Sequence, residues 1–343
     1  MWEPLLERAT ALWSPPGSGS SLPSAPMTRV VPIDQLDLAS AALGAGQVVA
    51  LPTETVYGLA ARAEDKAAVS SIFALKRRPA DNPLIVHVAH VKMAFSLATR
   101  VPNFAHELAE AFWPGPLSLV LDSAVDWPWV QAGHTTLALR VPSPSWLREL
   151  IADVGPLAAP SANRSGRPSP TTAAHVLADL DGEVPLVVNG GPCQEGLEST
   201  VVDCTGQAPR VLRPGPVTAE QIASVLGGVG KVAGETGVGH GVSPGTRHRH
   251  YQPQARVQVV DDLAVLAPEP ATLYIGPAGA AFPHGVPLES QRTWGSVQDL
   301  AAGLYAWFRE ADALGMRAVV VQAIPPTGLG AAVMNRLDKA AAG

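Results

Sequence analysis

Apolar and β-branched runs recur through the first two thirds of the chain and alternate with helical patterns. Between the runs, Val69, Ile72 and Phe73 share one helix face, and a further helix is predicted over 172–180. This interleaving predicts a mixed α/β domain. The runs predict strands at residues 48–53, 83–88, 117–121, 136–141, 157–161, 186–189, 199–203 and 210–213.

A second and smaller α/β unit is predicted in the last ninety or so residues. The segments RVQVV, ATLYIG and RAVVVQAI predict strands, and AAVMNRLDKAA predicts a final helix. Ser296 is placed to cap a long amphipathic helix over 297–314, and Gly315 to end it. No catalytic constellation is evident in this unit. The apolar stripe of the long helix consists of Val297, Leu300, Leu304, Trp307, Phe308, Ala311 and Leu314.

Two segments of biased composition divide the chain. Residues 1–26 are rich in Pro, Ser and Gly, which predicts a disordered leader, and patterned sequence begins at Met27. Residues 227–254 are Gly-rich, polar and basic, which predicts a linker long enough to act as a lid. The predicted organisation is therefore a leader (1–26), a catalytic domain (27–226), a linker (227–254) and a C-terminal α/β domain (255–343).

Charge and composition exclude several classes of protein. The net charge of -6 argues against a general affinity for nucleic acid, although the RHRHY segment leaves a local basic patch open. No apolar run approaches the roughly 18 residues of a transmembrane helix, and no secretory signal is recognisable, so we expect a cytoplasmic protein. Cys193 and Cys204 form no CxxC pair, and the histidines at 240, 248 and 250 fit no zinc spacing, so we name no metal ligand.

Polar residues follow two of the predicted strands. In PTETVYGL (52–59), hydroxyl and carboxylate groups crowd the end of a strand, and Gly58 permits a tight turn; the alternative is a plain junction with Thr55 as a helix cap. In KRRPADNPLIVHV (76–88), the bend between two prolines can gather Lys76, Arg78 and Asn82 around a triphosphate. The alternative is that these cations only complement a helix C-terminus. No P-loop is present, so any ATP must be held otherwise.

Three further segments carry candidate ligands. In TTLALRVP, alternation places Thr136, Ala138 and Arg140 on one sheet face, and a buried Arg140 needs either a bound carboxylate or an internal salt bridge. The loop APSANRSGRPSPTTA offers hydroxyls and amides for an anion, or forms a plain turn. GLESTVVD with VLRPG places Ser199 and Arg213 in or beside strands.

Together these motifs resemble the YrdC-like threonylcarbamoyl-AMP synthase family. The resemblance covers about residues 30–226 in the family's order, and it includes FWPGPLSLVL besides the segments above. SPGTRHRHYQP and the tail through MNRL resemble the longer, two-domain branch of that family. The fold implied is a mixed, twisted-sheet YrdC-like domain joined by a long linker to a small Rossmann-like α/β domain.

The resemblance also implies an activity and its partners. The chain is expected to be a nucleotidyltransferase that joins L-threonine, bicarbonate or CO2 and ATP into threonylcarbamoyl-AMP and releases pyrophosphate. Mg²⁺ is expected on the phosphates. A downstream transferase passes the group to tRNA, with at most a weak tRNA contact by this chain and no membrane.

The site residues are carried over from the family by motif. The implied threonine-binding residues are Thr55, His87, Arg140, Ala159 and Ser199, with Arg140 on the carboxylate and Ala159 acting through its backbone. The implied ATP-binding residues are Lys76, Arg78, Asn82, Thr136, Ser161, Asn163, Ser169, Arg213 and Tyr251.

Two other functions are weighed against this one. A carbamoyl-adenylate-forming enzyme shares a related domain but carries acylphosphatase-like and zinc-finger segments that this sequence lacks. An RNA-binding module would account for the RHRHY segment, against the acidic net charge.

Overall fold

The computed structural model describes residues 27–228 and 251–342, and they form two sheets. The larger sheet has ten strands in the order β1-β8-β2-β3-β7-β4-β6-β5-β9-β10. Parallel and antiparallel pairs are mixed within it, as predicted. The strands are β1 (Arg29–Pro32), β2 (Val49–Pro52), β3 (Tyr57–Arg62), β4 (Ile85–His87), β5 (Leu117–Asp122), β6 (Thr136–Arg140), β7 (Leu157–Ala158), β8 (Leu186–Asn189), β9 (Thr200–Asp203) and β10 (Arg210–Arg213).

Helices cover both faces of this sheet, and the alternation of side chains explains the two cores. Along β2, Val49 and Leu51 belong to one buried apolar cluster and Ala50 to the other. The helices are α1 (Leu36–Gly44), α2 (Lys66–Lys76), α3 (Val91–Ser96), α4 (Asn103–Phe112), α5 (Pro128–Gln131), α6 (Ser145–Val154), α7 (Ala173–Leu180) and α8 (Ala219–Val225).

The smaller sheet consists of four parallel strands in the order β11-β14-β12-β13. Its long helix begins after Ser296, whose side chain accepts a hydrogen bond from the amide of Asp299, as predicted. The predicted stripe is wrong at its end, since Leu314 is 40% exposed. The elements are β11 (Arg256–Val260), β12 (Thr272–Pro277), a 3-10 turn (Leu288–Ser290), β13 (Gln291–Trp294), α9 (Val297–Ala313), β14 (Ala318–Gln322) and α10 (Leu329–Ala341).

The two sheets pack together through a shared apolar cluster and buried ion pairs. Val56 and Leu197, from the part of the chain that forms the large sheet, lie in the same cluster as the core of the C-terminal unit. Arg309 on α9 donates to the carboxylate of Asp179 at 2.9 Å and to the carbonyl of Pro168. The contact therefore combines apolar packing with buried charged groups.

Two local predictions are wrong, and packing explains both. Gly58 lies within strand β3 and makes no tight turn there; a Cβ at this position would lie 3.3 Å from the Cβ of Ala159, so the residue permits a close approach between neighbouring segments. The strand predicted over 157–161 ends at Ala158, since beyond it the backbone pairs irregularly with β3 through Ser161.

Other predictions fall outside the described residues or stay predictions. The leader (1–26) and most of the linker, with its histidines, are not among the described residues. The boundaries 27–226 and 255–343 stay predictions. None of the described helices is both long and apolar enough to cross a membrane.

Candidate active site

One cleft gathers most of the polar residues singled out in the sequence. It lies at the centre of the large sheet, between the β2–β3 connection, the ends of β4 and β6, and the segment before β9. About 620 Å³ of it is free of protein atoms, part of this open to solvent. Predicted site residues on its wall are Thr55, Arg78, His87, Arg140, Ala159, Ser161, Ser199, Arg213 and Tyr251.

Arg140 ends β6 and is 3% exposed. Its Nε donates to the carbonyl of Gly115 at 3.2 Å, its Nη1 to the hydroxyl of Thr55 at 3.0 Å, and its Nη2 lies 2.8 Å from a carboxylate oxygen of Glu54. A guanidinium carries five N–H donors, so three single contacts leave donor capacity for a further carboxylate. The internal salt bridge and a ligand site are thus both compatible with this arginine.

The β2–β3 connection is held by its own hydroxyl groups. The Oγ1 of Thr53 lies 2.8 Å from the Oγ1 of Thr55, and it accepts hydrogen bonds from the amides of Thr55 and Val56. The Thr55 hydroxyl therefore has a fixed position between Thr53 and Arg140. No helix follows, so Thr55 is not a helix cap.

His87 is paired in register with Arg140 across β4 and β6. Its ring is buried, and its Nδ1 has no hydrogen-bond partner among the described residues. Burial, and then the charge of Arg140, lower the pKa of His87 to about 3. The ring is therefore neutral at physiological pH and offers a hydrogen-bonding nitrogen beside Arg140.

A second group of cations, which we call the cationic side, lies at the same cleft. Arg78 donates from Nε to the carbonyl of Asn82 at 3.2 Å and from Nη2 to that of Pro83 at 2.9 Å. Burial, opposed by Tyr251 and assisted by Arg213, lowers the pKa of Arg78 to about 10, so the side chain stays charged. A second positive charge therefore lines the cleft that contains Arg140.

Lys76 lies behind this wall and ties two segments together. Its ammonium donates to the carbonyls of Ser161 and Asn163 at 2.5 and 2.6 Å. Burial, and next the charge of Arg78, lower the pKa of Lys76 well below its usual value. Lys76 therefore fixes the loop after β7 through its two hydrogen bonds.

Ser199 is held from two sides. Its Oγ lies 2.8 Å from that of Ser118 on β5, and Arg213 on β10 donates to both the carbonyl and the hydroxyl of Ser199. Because Arg213 also lines the cleft, the same guanidinium links the wall on the Arg140 side with the cationic side.

Glu198 is a residue of the wall that the sequence analysis did not select. One carboxylate oxygen accepts a hydrogen bond from Ser169 at 2.5 Å, and the other from Tyr305 and Arg336 of the C-terminal unit at 3.1 and 2.9 Å. Burial acts to raise its pKa, but Arg336 and Arg213 outweigh burial and lower the pKa of Glu198 to about 2. The C-terminal unit, in which no catalytic constellation was evident from the sequence, therefore contacts the wall of the cleft through Tyr305 and Arg336.

Some predicted residues do not reach the cleft wall. Lys76, Asn82 and Ser169 lie behind it, each bonded to a lining residue or to its backbone, and Asn163 is bonded to Lys76. Thr136 begins β6, four residues before Arg140 and roughly 13 Å along the strand, and no observed contact connects it with the cleft.

Glu54, Ser118 and Glu198 are the residues that the analysis missed. Each lies inside a motif on which the family resemblance depends, so its position in the sequence was a usable signal. The partner of each side chain, however, comes from a distant part of the sequence and is known only from the fold. Among the residues of 27–228 and 251–342, no group of three or more His, Cys, Asp or Glu side chains is placed to hold a metal ion.

Comparison with known proteins gives matches over nearly the whole chain. Residues 41–215 match the Sua5/YciO/YrdC family model, described as telomere recombination, and residues 217–342 match that of the threonylcarbamoyl-AMP synthase C-terminal domain. The threonylcarbamoyl-AMP synthase of Bacillus subtilis is 40% identical over 90% of this chain and 93% of its own length. That of Pyrococcus abyssi is 38% identical over 89% of this chain and 94% of its own.

A solved structure matches the fold of this chain with a sequence identity similar to that of these relatives. The crystal structure of P. abyssi Sua5 complexed with L-threonine aligns with a TM-score of 0.82 at 35% identity, over 92% of this chain and 98% of that one. A putative threonylcarbamoyl-AMP synthase of Mycobacterium tuberculosis is 44% identical over 187 residues, which are 54% of this chain and 86% of that protein.

Proposed function

The chain belongs to the two-domain threonylcarbamoyl-AMP synthases of the Sua5/YciO/YrdC family, and from this premise we propose how its cleft works. The cleft joins L-threonine, bicarbonate or CO2 and ATP into threonylcarbamoyl-AMP and releases pyrophosphate. The observation that carries this proposal is that one buried guanidinium with spare donors, Arg140, lines the same cleft as the cations Arg78 and Arg213.

Threonine is proposed to bind on the Arg140 side. Arg140 takes the α-carboxylate, and the neutral ring of His87 and the fixed hydroxyls of Thr55 and Ser199 offer hydrogen bonds to the rest of the amino acid. The backbone of Ala159, which Gly58 allows to come close, completes this wall. The complex of P. abyssi Sua5 with L-threonine supports the assignment.

ATP is proposed to bind on the cationic side. Arg78 and Arg213 are placed to contact the phosphates, and Tyr251 covers the nucleotide. Lys76, with Asn82, Asn163 and Ser169, supports this wall from behind, and Ser161 lies on it. Thr136, the remaining residue implied by the family, has no support from the geometry and we do not assign it a contact.

The chemistry needs positioning more than a reactive side chain. The neutral amine of threonine attacks the carbon of CO2, and the resulting carbamate loses a proton. A carbamate oxygen then attacks the α-phosphorus, and the bond to the bridging oxygen breaks as pyrophosphate leaves. Arg140 fixes the nucleophile, and Arg78 and Arg213 stabilise the charge that develops on the phosphates.

Magnesium is proposed to enter with ATP. Because the described residues hold no cluster of metal ligands, the ion would be bound by phosphate oxygens and water. We therefore name no residue of this chain as a ligand of the ion. A downstream transferase, acting in the cytoplasm, would pass the threonylcarbamoyl group to tRNA.

The proposal is tested by incubating the protein with ATP, bicarbonate and single amino acids, with detection of the adenylate by mass spectrometry and of released pyrophosphate. Threonine should give both products. Pyrophosphate release with carbamoyl phosphate and without threonine would favour the carbamoyl-adenylate reaction. Salt-dependent RNA binding without turnover would favour the RNA-binding module.

A further inference from the structure

Arg336, on the last helix, is fully buried at the contact between the two sheets. Its Nε donates to the Glu198 carboxylate at 2.9 Å, and its Nη1 to the carbonyl of Pro214 at 2.9 Å. Glu198 and Pro214 lie on the two segments that flank Ser199 and Arg213 at the cleft. A side chain of the C-terminal unit therefore reaches the support of the cleft wall.

Glu198 relays this contact to the cationic side of the cleft. The carboxylate accepts from Arg336 and Tyr305 on one oxygen and from the Ser169 hydroxyl on the other. A buried carboxylate that loses a bonded cation carries a desolvation penalty, so the position of Glu198 depends on Arg336. The position of Ser169 thus depends on a residue more than a hundred positions away in sequence.

Tyr251 is the second point of contact. Its ring stacks on that of Tyr305 with centroids 5.4 Å apart, and the guanidinium carbon of Arg336 lies 5.2 Å from its centroid. Its backbone has a φ of 67°, a left-handed conformation that a tyrosine adopts only when its surroundings impose it. The ring is 5% exposed and lines the cleft.

We propose that Arg336 is a positioning residue for nucleotide binding: by holding Glu198 it fixes Ser169, and by packing on Tyr251 it fixes the ring that covers the nucleotide. The inference rests on the proposed function and deepens it, since it makes the C-terminal unit part of the ATP side of the site. Misplacement of supporting groups by even 1 Å is known to weaken catalysis by orders of magnitude.

Three arginine variants of the full chain test the proposal. R336M should raise the KM for ATP at least about tenfold and change the KM for threonine less than about twofold, and R336K should recover part of the loss. R292M is the control, because Arg292 also pairs with a carboxylate, that of Glu310, but wholly within the C-terminal unit. It should lower the melting temperature while leaving the KM for ATP nearly unchanged.

A second measurement follows the carboxylate itself. The groups that face Glu198 are Arg336, Tyr305, Arg213 and Ser169. Arg336 is the cation that lowers the pKa of Glu198 most, so its loss raises the pKa of Glu198 from the low value of the intact protein. The activity of R336M should therefore fall at a higher pH on the acid side than that of the wild type. E198Q should remove this shift, and the double variant should be no worse than the poorer single variant.

Titration calorimetry with ATP alone tests the role of Arg336 independently of whether the protein makes threonylcarbamoyl-AMP. Weaker ATP binding by R336M supports the positioning role even if the wild type makes no adenylate, a result that would contradict only the function. A folded R336M that binds ATP like the wild type overturns the role of Arg336, as does an equal loss in R292M. Where R336M does not fold, unchanged ATP binding by both R336K and E198Q overturns it.

Discussion

The Nη2 of Arg140 lies 2.8 Å from the carboxylate of Glu54, and both side chains are almost fully buried. The arginine proposed to hold a substrate carboxylate therefore already has an anionic neighbour within the protein. Truncating Arg140 alone leaves a buried, unpaired carboxylate, which typically costs several kcal/mol. Variants of Arg140 and Glu54 must therefore be designed so that an effect on substrate binding can be told from a loss of protein stability.

Replacing Glu54 by glutamine is expected to strengthen threonine binding about fivefold, because it removes the negative charge that repels a carboxylate on the same guanidinium. The dissociation constant of threonine, measured by calorimetry, checks this. E195Q removes a nearby charge that is not bonded to Arg140 and serves as control. Weaker binding in E54Q would assign Glu54 to the substrate's ammonium group instead.

The double variant E54Q/R140M tests the role of Arg140 without leaving an unpaired buried charge. We expect adenylate formation with threonine to fall at least about a hundredfold, since the carboxylate loses its charged partner, while ATP binding stays within about twofold. Adenylate yield and ATP affinity are measured on the same preparation. A double variant that still makes the adenylate at the rate of E54Q would refute the assignment.

Lys76→Met is expected to lower the free energy of unfolding by about 2–5 kcal/mol and to weaken ATP binding, because the buried carbonyls of Ser161 and Asn163 lose their donor. Lys66→Met, at the exposed start of the same helix, should change neither quantity. Urea unfolding and ATP titration give the two numbers. Equal effects in both variants would show that the carbonyl contacts of Lys76 have no special weight.

Gly215→Ala is expected to disturb the segment that carries Glu198 and Ser199. The added Cβ would lie 2.4 Å from the amide of Thr200 and 2.7 Å from the carbonyl of Glu198, so backbone must shift. We expect a loss of about 1–3 kcal/mol of unfolding free energy and reduced turnover. Gly44→Ala, with nothing within 4 Å of its added Cβ, is the control and should not destabilise.

Two buried histidines should make the protein acid-sensitive. Burial lowers the pKa of His87 and of His175 to about 3, with Arg140 and Arg309 respectively as the next cause. The unfolded chain, with histidine pKa near 6.5, binds more protons between these values, so stability is full above about pH 6.5 and is lost as the pH falls towards 3.

Each histidine should contribute about 1.4 kcal/mol of lost stability per pH unit in that window. H175Q should flatten the fall in unfolding free energy between pH 6 and 4, as measured by urea titration, without altering the plateau slope above pH 7. An unchanged pH dependence in H175Q would show that folding does not lower the pKa of His175.

The sequence predicted both α/β units and most of their strands, since buried strands of this kind are recognisable from local runs of β-branched residues. The β10 prediction, for example, agrees with the observed Arg210–Arg213. It did not predict β3, because Gly58 indicates a turn locally and its place in a strand depends on the neighbouring segment around Ala159.

At the candidate site, local pattern supplied the chemical groups and the resemblance supplied their proposed roles, and His87, Arg78 and Arg140 do line one cleft. What only the tertiary structure decided is which charges face each other. Glu54 meets Arg140, and Glu198 meets Arg336, across distances in sequence that no periodicity records. A buried charge must find a partner wherever the fold brings one, and that choice is made by packing and desolvation rather than by neighbours along the chain.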